Sequence, residues 1–317
     1  MLKRKDLLGL IDLTAEELTE LLDVAAEMKA HLKKGEKNLP YLKGKTVTTL
    51  FYENSTRTRT SFELAAKYLG ATVINIATGT SSVAKGETLV DTGKTLDAQL
   101  NDFLIMRHPM GGAPYLLAKV ANAGVLNAGD GMNEHPTQGL LDMLTMRETF
   151  GHLDGLKVAI VGDIKHSRVA KSNLFGLKTM GAEVRMFAPE TLIPKDIDKL
   201  GAKLCSSKEE ALDGVDVIMG LRIQLERQQA GNFPSLNEYA AFYGVDGKWL
   251  SYAKPNAINM HPGPVNRGVE LTGKVIDHER SHIEEQVFSG IAVRMAALKL
   301  LNDYREYTKS NNGGSNL

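Results

Sequence analysis

Residues 55–61, STRTRTS, lie between the strand-like run TVTTLFYEN and the apolar-periodic FELAAKYLGA. A turn from a strand into a helix leaves backbone N–H groups without partners, and the helix dipole adds positive potential there, so an anion is favoured. Ser55 suits the N-cap, and the hydroxyls of Ser55, Thr56 and Thr58 with the fork of Arg57 would add donors for phosphate oxygens. One N-cap serine with solvated arginines would need no ligand. So dense a set of donors implies one.

The same kind of position recurs along the chain. LIMRHP sets Arg107 just after an apolar strand, and GDGMNEHPTQ sets His135 directly before Pro136, with Gln138 one turn further on. His135 could cap the helix or, as a neutral imidazole, donate to a bound carbonyl. Lys85 sits in the glycine-containing VAKGETLVDT; taken alone it is a solvated lysine. In the second half Arg168 opens a helix in GDIKHSRVAKS, and GLRIQLERQ supplies Arg222, Gln224 and Arg227 after the strand VDVIM. That last run also suits the charged face of a helix. INMHPGPVNRG, with Pro262 and Pro264 flanking Gly263, must be a rigid non-helical loop, either a plain turn or one that presents fixed carbonyls.

These basic groups converge on strand ends in a chain with 38 Lys+Arg, 38 Asp+Glu and zero formal charge. No overall field would draw the chain to nucleic acid or a membrane surface. The implied ligands are small anions, one in each half. GDIKHSRVAKS lacks the G-x-G-x-x-G of dinucleotide binding, no Walker loop or G-x-S-x-G is present, and no spacing of His, Cys and carboxylates proposes a metal. Catalysis by orientation and charge stabilisation remains, with no cofactor.

The positioning elements follow from periodicity. Thr14 and Glu17 make a capping box ahead of Leu18, Leu21, Leu22 and Ala25. Unalternating apolar strands then alternate with helices up to AGVLNAG, a helix opens at Pro136 and closes at Gly151, and the pattern restarts at KVAIVGD. The expected fold is α/β, two doubly wound parallel-sheet domains joined by a bridging helix, with the C-terminal helix returning to the first domain. The expected boundaries are 1–133 completed by 286–308, a bridge at 134–150, a second domain at 151–285 and a flexible tail at 309–317. Val287, Ile291, Met295 and Leu298 are expected to form the buried stripe of the last helix. Cys205 is the only cysteine, which excludes an intramolecular disulfide, and no signal peptide or membrane span is evident, so a cytoplasmic protein is expected.

Together STRTR, MRHP, HPTQ, KGET and RIQLERQ resemble the carbamoyltransferases, and among them the aspartate branch, from the first helix to about residue 305. The resemblance implies transfer of the carbamoyl group of carbamoyl phosphate to L-aspartate in pyrimidine synthesis. It implies that Ser55, Thr56, Arg57 and Thr58 hold the phosphate, that Thr58, Arg107 and His135 surround the carbamoyl oxygen, and that Gln138 binds the carbamoyl amino group. Ser81 and Lys85 match residues lent by a neighbouring subunit, so a homotrimer with shared sites is implied. For aspartate the matches are Lys85, Arg168, Arg222 and Gln224, with Pro262 and Gly263 in a loop facing both substrates and a cis bond expected from Gly263 to Pro264. Glu53 and Arg227 match supports of Arg222. Two positions depart from the family: Asn54, commonly proline, and Gly263, larger and apolar in some members. A regulatory chain or a dihydroorotase-like partner stays open. The ornithine branch typically carries an SMG loop and HCLP, where this chain reads MHPGP.

Overall fold

The computed structural model describes residues 2–77, 86–224 and 235–312. Ser81, Lys85, Arg227 and the end of the expected tail, 313–317, lie outside them. The chain divides into two compact units, Met1–Leu140 with Ser289–Leu317, and Leu141–Phe288. The divisions fall inside two helices.

The first unit opens with α1 (Ala15–Lys33), whose Thr14–Glu17 capping box is formed. It continues through β1 (Thr46–Phe51), α2 (Thr56–Tyr68), β2 (Thr72–Ala77), α3 (Leu89–Ala98), β3 (Phe103–His108), α4 (Ala113–Val120), β4 (Gly124–Asp130) and the start of α5 (Pro136–Phe150). The sheet order is β2-β1-β3-β4, every pair parallel. Its seven-residue last strand is buried throughout, as expected for a strand covered on both faces.

The second unit follows with β5 (Lys157–Val161), α6 (Arg168–Thr179), β6 (Glu183–Phe187), β7 (Lys203–Leu204), α7 (Lys208–Leu212), β8 (Val217–Gly220), α8 (Leu236–Tyr243), β9 (Ile258–Met260) and α9 (Gly273–Ile276). Its sheet is ordered β7-β6-β5-β8-β9 and is also all parallel. The two-sheet α/β architecture expected from the sequence is therefore present. Trp249, Phe187, Leu212 and Leu271 belong to one apolar core there.

The last helix, α10 (Ile283–Asn312), is longer than expected, so the chain after residue 309 is helical up to Asn312. From Ser289 it belongs to the first unit, where Ser289 accepts from buried Lys29 at 2.9 Å. Arg294 there donates to Ser61 at 2.9 Å and lies over the Phe62 ring. The expected stripe is corrected: Met295 and Leu298 are buried, but Val287 is 57% exposed. Residues 292–298 are all buried, so the helix is enclosed around its girth, and a one-sided 3.6-residue pattern no longer marks its buried positions.

Candidate active site

In the first unit the chain leaves β1 toward β2 on one side while β3 lies on the other. The crevice beyond the C-terminal ends of β1 and β3 is thus a topological switch point, where open α/β sheets bind ligands. Ser55 stands there as the N-cap of α2, extended at φ −158°, its Oγ accepting from the Thr58 N–H at 3.4 Å. The two arginines of STRTR have different surroundings. Arg59 pairs with Glu63 one turn along the helix surface, whereas Thr56 and Arg57 are exposed on the first turn.

Arg107, at the end of β3, joins this turn. Its Nη1 donates to Thr58 Oγ1 at 3.4 Å and its Nε to Glu53 Oε2 at 3.1 Å. Glu53 therefore holds the guanidinium of Arg107 against the mouth of α2, a partner that sequence reasoning did not assign to it. Neighbouring His108 packs on Tyr52 with ring centroids 4.7 Å apart, and its Nδ1 accepts from the Met110 N–H at 3.0 Å. Burial lowers its pKa, favouring the neutral ring.

One strand over, β4 ends in a knot that presents His135 and Gln138. Asp130, fully buried, accepts on Oδ1 from Asn127 Nδ2 at 2.8 Å and the Glu134 N–H at 3.1 Å. On Oδ2 it accepts from the Gly112 N–H at 2.7 Å and Asn133 Nδ2 at 3.0 Å. Glu134, also buried, takes the Leu10 N–H at 2.8 Å and so ties the N-terminal segment to the head of α5. Burial, then the nearby Glu134 charge, pushes the Tyr115 hydroxyl up to about 12. His135 and Gln138, 4% and 9% exposed, sit on the same sheet edge as Ser55 and Arg107.

The second unit repeats the arrangement between β5 and β8. Ser167 caps α6, and Arg168 is its first residue, only 4% exposed. A buried cation at a helix N-terminus opposes the dipole, a local conflict of the kind found at functional sites. Asp163 in the loop after β5 accepts from His166 Nδ1 at 2.8 Å and from the Gln224 N–H at 3.2 Å, joining the loops that carry Arg168 and Gln224. Arg222 is followed by Ile223, whose N–H donates to Glu270 at 2.9 Å. Burial raises the pKa of Glu270 despite its hydrogen bonds. Gly162, at φ +131°, lets the two loops meet, since a Cβ there would lie 2.6 Å from the Leu221 carbonyl oxygen.

After β9 the HPGP loop begins. The Gly263 N–H donates to His261 Nδ1 at 2.9 Å, Gly263 is left-handed at φ +66°, and the Gly263–Pro264 bond is cis, as the resemblance implied. Glycine adopts that φ at no steric cost, which gives its presence here a local reason. Sequence reasoning missed the carboxylates Asp130, Glu134, Asp163 and Glu270. Only Glu134, beside His135, stood next to a residue it had singled out. Among the described residues no cluster of His, Cys, Asp and Glu could hold a metal ion, and no helix is long and apolar enough to cross a membrane.

Two doubly wound parallel units, each with an arginine at its switch point and an amide side chain on the same sheet edge, define an α/β protein of the small-anion-binding class. Residues 5–148 match the family described as aspartate/ornithine carbamoyltransferase, carbamoyl-P binding domain, and residues 154–301 match its Asp/Orn binding domain. The chain belongs to the aspartate/ornithine carbamoyltransferase family. It is 60% identical over 300 residues to the aspartate carbamoyltransferase catalytic subunit of Ruminiclostridium cellulolyticum, covering 95% of this chain and 96% of that one. It is 60% identical over 301 residues, with the same coverage, to that of Acetivibrio thermocellus. Among solved structures, aspartate transcarbamoylase from Trypanosoma cruzi in complex with carbamoyl aspartate and phosphate matches with a TM-score of 0.85 at 35% identity, covering 94% of this chain and 96% of that one. Ornithine carbamoyltransferase from Thermus thermophilus matches with a TM-score of 0.83 at 28% identity, covering 94% and 99%.

Proposed function

We propose that this chain transfers the carbamoyl group of carbamoyl phosphate to the amine of L-aspartate, giving N-carbamoyl-L-aspartate and phosphate. The observation that carries the choice of aspartate over ornithine is the pair Arg168 and Arg222 at the switch point of the second unit. A dicarboxylate needs two cations where ornithine needs one, and an arginine fork matches a carboxylate in shape as well as charge. The 60% identity to chains named aspartate carbamoyltransferase catalytic subunit supports the same choice.

In this assignment the first turn of α2 takes the phosphate through Ser55, Thr56, Arg57 and Thr58. The carbamoyl oxygen lies among Thr58, Arg107 and His135, and the carbamoyl amino group meets Gln138. Arg168 takes the α-carboxylate of aspartate and Arg222 with Gln224 its side-chain carboxylate, while Pro262 and Gly263 offer backbone groups. The amine lone pair attacks the carbamoyl carbon, the bond to the phosphate oxygen breaks with its electron pair leaving on phosphate, and phosphate accepts the amine proton. Negative charge builds on the carbamoyl oxygen, where a preorganised donor is worth about 10²- to 10³-fold in rate. Lys85 and Ser81, supplied by a neighbouring copy, complete the site in a cytoplasmic homotrimer that serves pyrimidine synthesis.

Incubating the purified protein with carbamoyl phosphate and either aspartate or ornithine, while following phosphate and carbamoylated product, tests the assignment. Aspartate-dependent product is expected, and ornithine-dependent product alone refutes it. Arg222→Ala should weaken aspartate use roughly ten- to a hundredfold, the loss of charged hydrogen bonds worth about 1.5–3 kcal/mol. A trimer should sediment with the mass of three chains.

A further inference from the structure

The second unit holds a buried chain of hydrogen bonds that none of these roles uses. The His261 N–H, at the head of the HPGP loop, donates to Gln286 Oε1 at 2.9 Å. Gln286 Nε2 donates to Asp142 Oδ1 at 2.7 Å, and Asn173 Nδ2 donates to Asp142 Oδ2 at 2.7 Å. Asp142 and Asn173 are fully enclosed, and His261 and Gln286 are 1% and 2% exposed. One end of the chain lies in α6, whose first residue is Arg168. The other end leads directly into Pro262 and Gly263.

The direction of every bond is set by chemistry. An ionised carboxylate only accepts, so both amides must turn their NH2 groups toward Asp142, which leaves Gln286 Oε1 for a backbone donor. Asn173 Nδ2 also donates to the Val169 carbonyl at 3.1 Å, so turning that amide over would set its oxygen against another oxygen. No member can be reversed without bringing two donors or two acceptors face to face, and in an interior of low dielectric such a mismatch is costly. The chain is a strut of defined length between the helix that bears Arg168 and the loop that bears Pro262 and Gly263.

We propose that Asp142 and Gln286 are positioning residues that set the separation of these two elements, and with it the fit of the amino-acid substrate. This rests on the assignment of aspartate to the second unit. Through Arg168 the strut acts on aspartate alone, and through the loop on both substrates, so its loss should appear chiefly in the KM for aspartate. The KM for carbamoyl phosphate, whose other contacts are assigned to the first unit, should change less.

The test is steady-state kinetics on the full-length wild type and three variants. Gln286→Leu removes an acceptor and a donor together. Asp142→Asn keeps the shape but points an NH2 group at one of two donors. The double variant Asp142→Asn/Gln286→Glu moves the negative charge along the strut and restores all three bonds: the introduced glutamate accepts from the His261 N–H and from the introduced asparagine, whose oxygen accepts from Asn173. Each single variant should raise the aspartate KM about tenfold or more, a loss of about 1.4 kcal/mol of substrate fit, with a smaller change in the carbamoyl phosphate KM. The double variant should return the aspartate KM to about wild type. Partial misfolding lowers the active fraction and hence the apparent kcat without moving KM, so the readout holds for whatever fraction folds; Asp142→Asn, isosteric and short of one bond, is the milder change. A wild-type aspartate KM in Gln286→Leu, equal rises in both substrates' KM, or a double variant no better than the singles would overturn the proposal. A wild type that does not use aspartate overturns the assignment beneath it instead.

Discussion

Asp130→Asn should separate the building of the site from the holding of the fold. Asp130 is fully buried and takes four donors, two on each oxygen. Asparagine keeps the shape but has one acceptor atom. That oxygen will stay on the side of Asn127 Nδ2 and the Glu134 N–H, both deeply buried, so the new NH2 meets Gly112 N–H and Asn133 Nδ2. Half-buried Asn133 can turn its amide to present an oxygen, but a backbone N–H cannot turn. The Gly112 N–H, now 2.7 Å from its acceptor, is left facing a donor. Losing one hydrogen bond to a charged partner and leaving the donor unpaired costs about 2–3 kcal/mol. In a unit of this size that lowers the melting temperature by about 4–12 °C. The knot also shapes the five residues that deliver His135, so kcat should fall about tenfold or more while the fold persists below the transition. Thermal melting and initial-rate kinetics on the same preparation read both quantities. A lowered melting point with unchanged kcat would show that the knot braces the sheet end without positioning His135, and an unchanged melting point would refute the hydrogen-bond accounting.

Three further outcomes are expected. His135→Ala should lower kcat by about 10²- to 10³-fold, with the aspartate KM little changed; a loss under about tenfold would remove His135 from the carbamoyl oxygen. Gly162→Ala forces a Cβ toward the Leu221 oxygen at a φ of +131°, so about 1–3 kcal/mol of stability should go, together with a higher aspartate KM, and an alanine variant that melts like wild type would contradict the close approach of the two loops. Burial lowers the His108 pKa from its ordinary 6.5, so between the lowered value and 6.5 the unfolded chain binds more protons and stability falls as pH drops through that window. His108→Gln should flatten the slope there, and parallel melting profiles for variant and wild type would exclude His108 as its source.

The supersecondary pattern was plain in the sequence because its signals are local. A strand such as Val158–Val161 reads as buried from composition, Ser55 and Ser167 stand three residues from the N–H groups they cap, and Pro136 suits the first position of α5. β7 and β9, of two and three residues, are too short to carry any periodicity. The arginines stood out because they break apolar runs at strand ends. Glu134 and Asp142 did not, because their partners are backbone groups or amides far away in the chain: Leu10 reaches Glu134 across 124 residues, and Gln286 reaches Asp142 across 144. Asp130 has three of its four partners within four residues, but they belong to an irregular turn with no periodicity to mark it. Ser81, Lys85 and Arg227 lie outside the described residues, so for them the resemblance alone speaks.

The membership of α10 has a consequence for how the protein is made. The first unit is discontinuous, and its Lys29 finds Ser289 only after 260 further residues have been added. The second unit, Leu141–Phe288, is continuous. During vectorial synthesis domains generally fold in the order they emerge from the ribosome. Here the half begun first is completed last: its fold stays short of α10 until residue 289 and beyond are made, while the central unit already has every residue it needs. A transcript cut just before the codon for Ser289 would spare the continuous unit and cripple the discontinuous one, since α10 closes a fold that α1 begins.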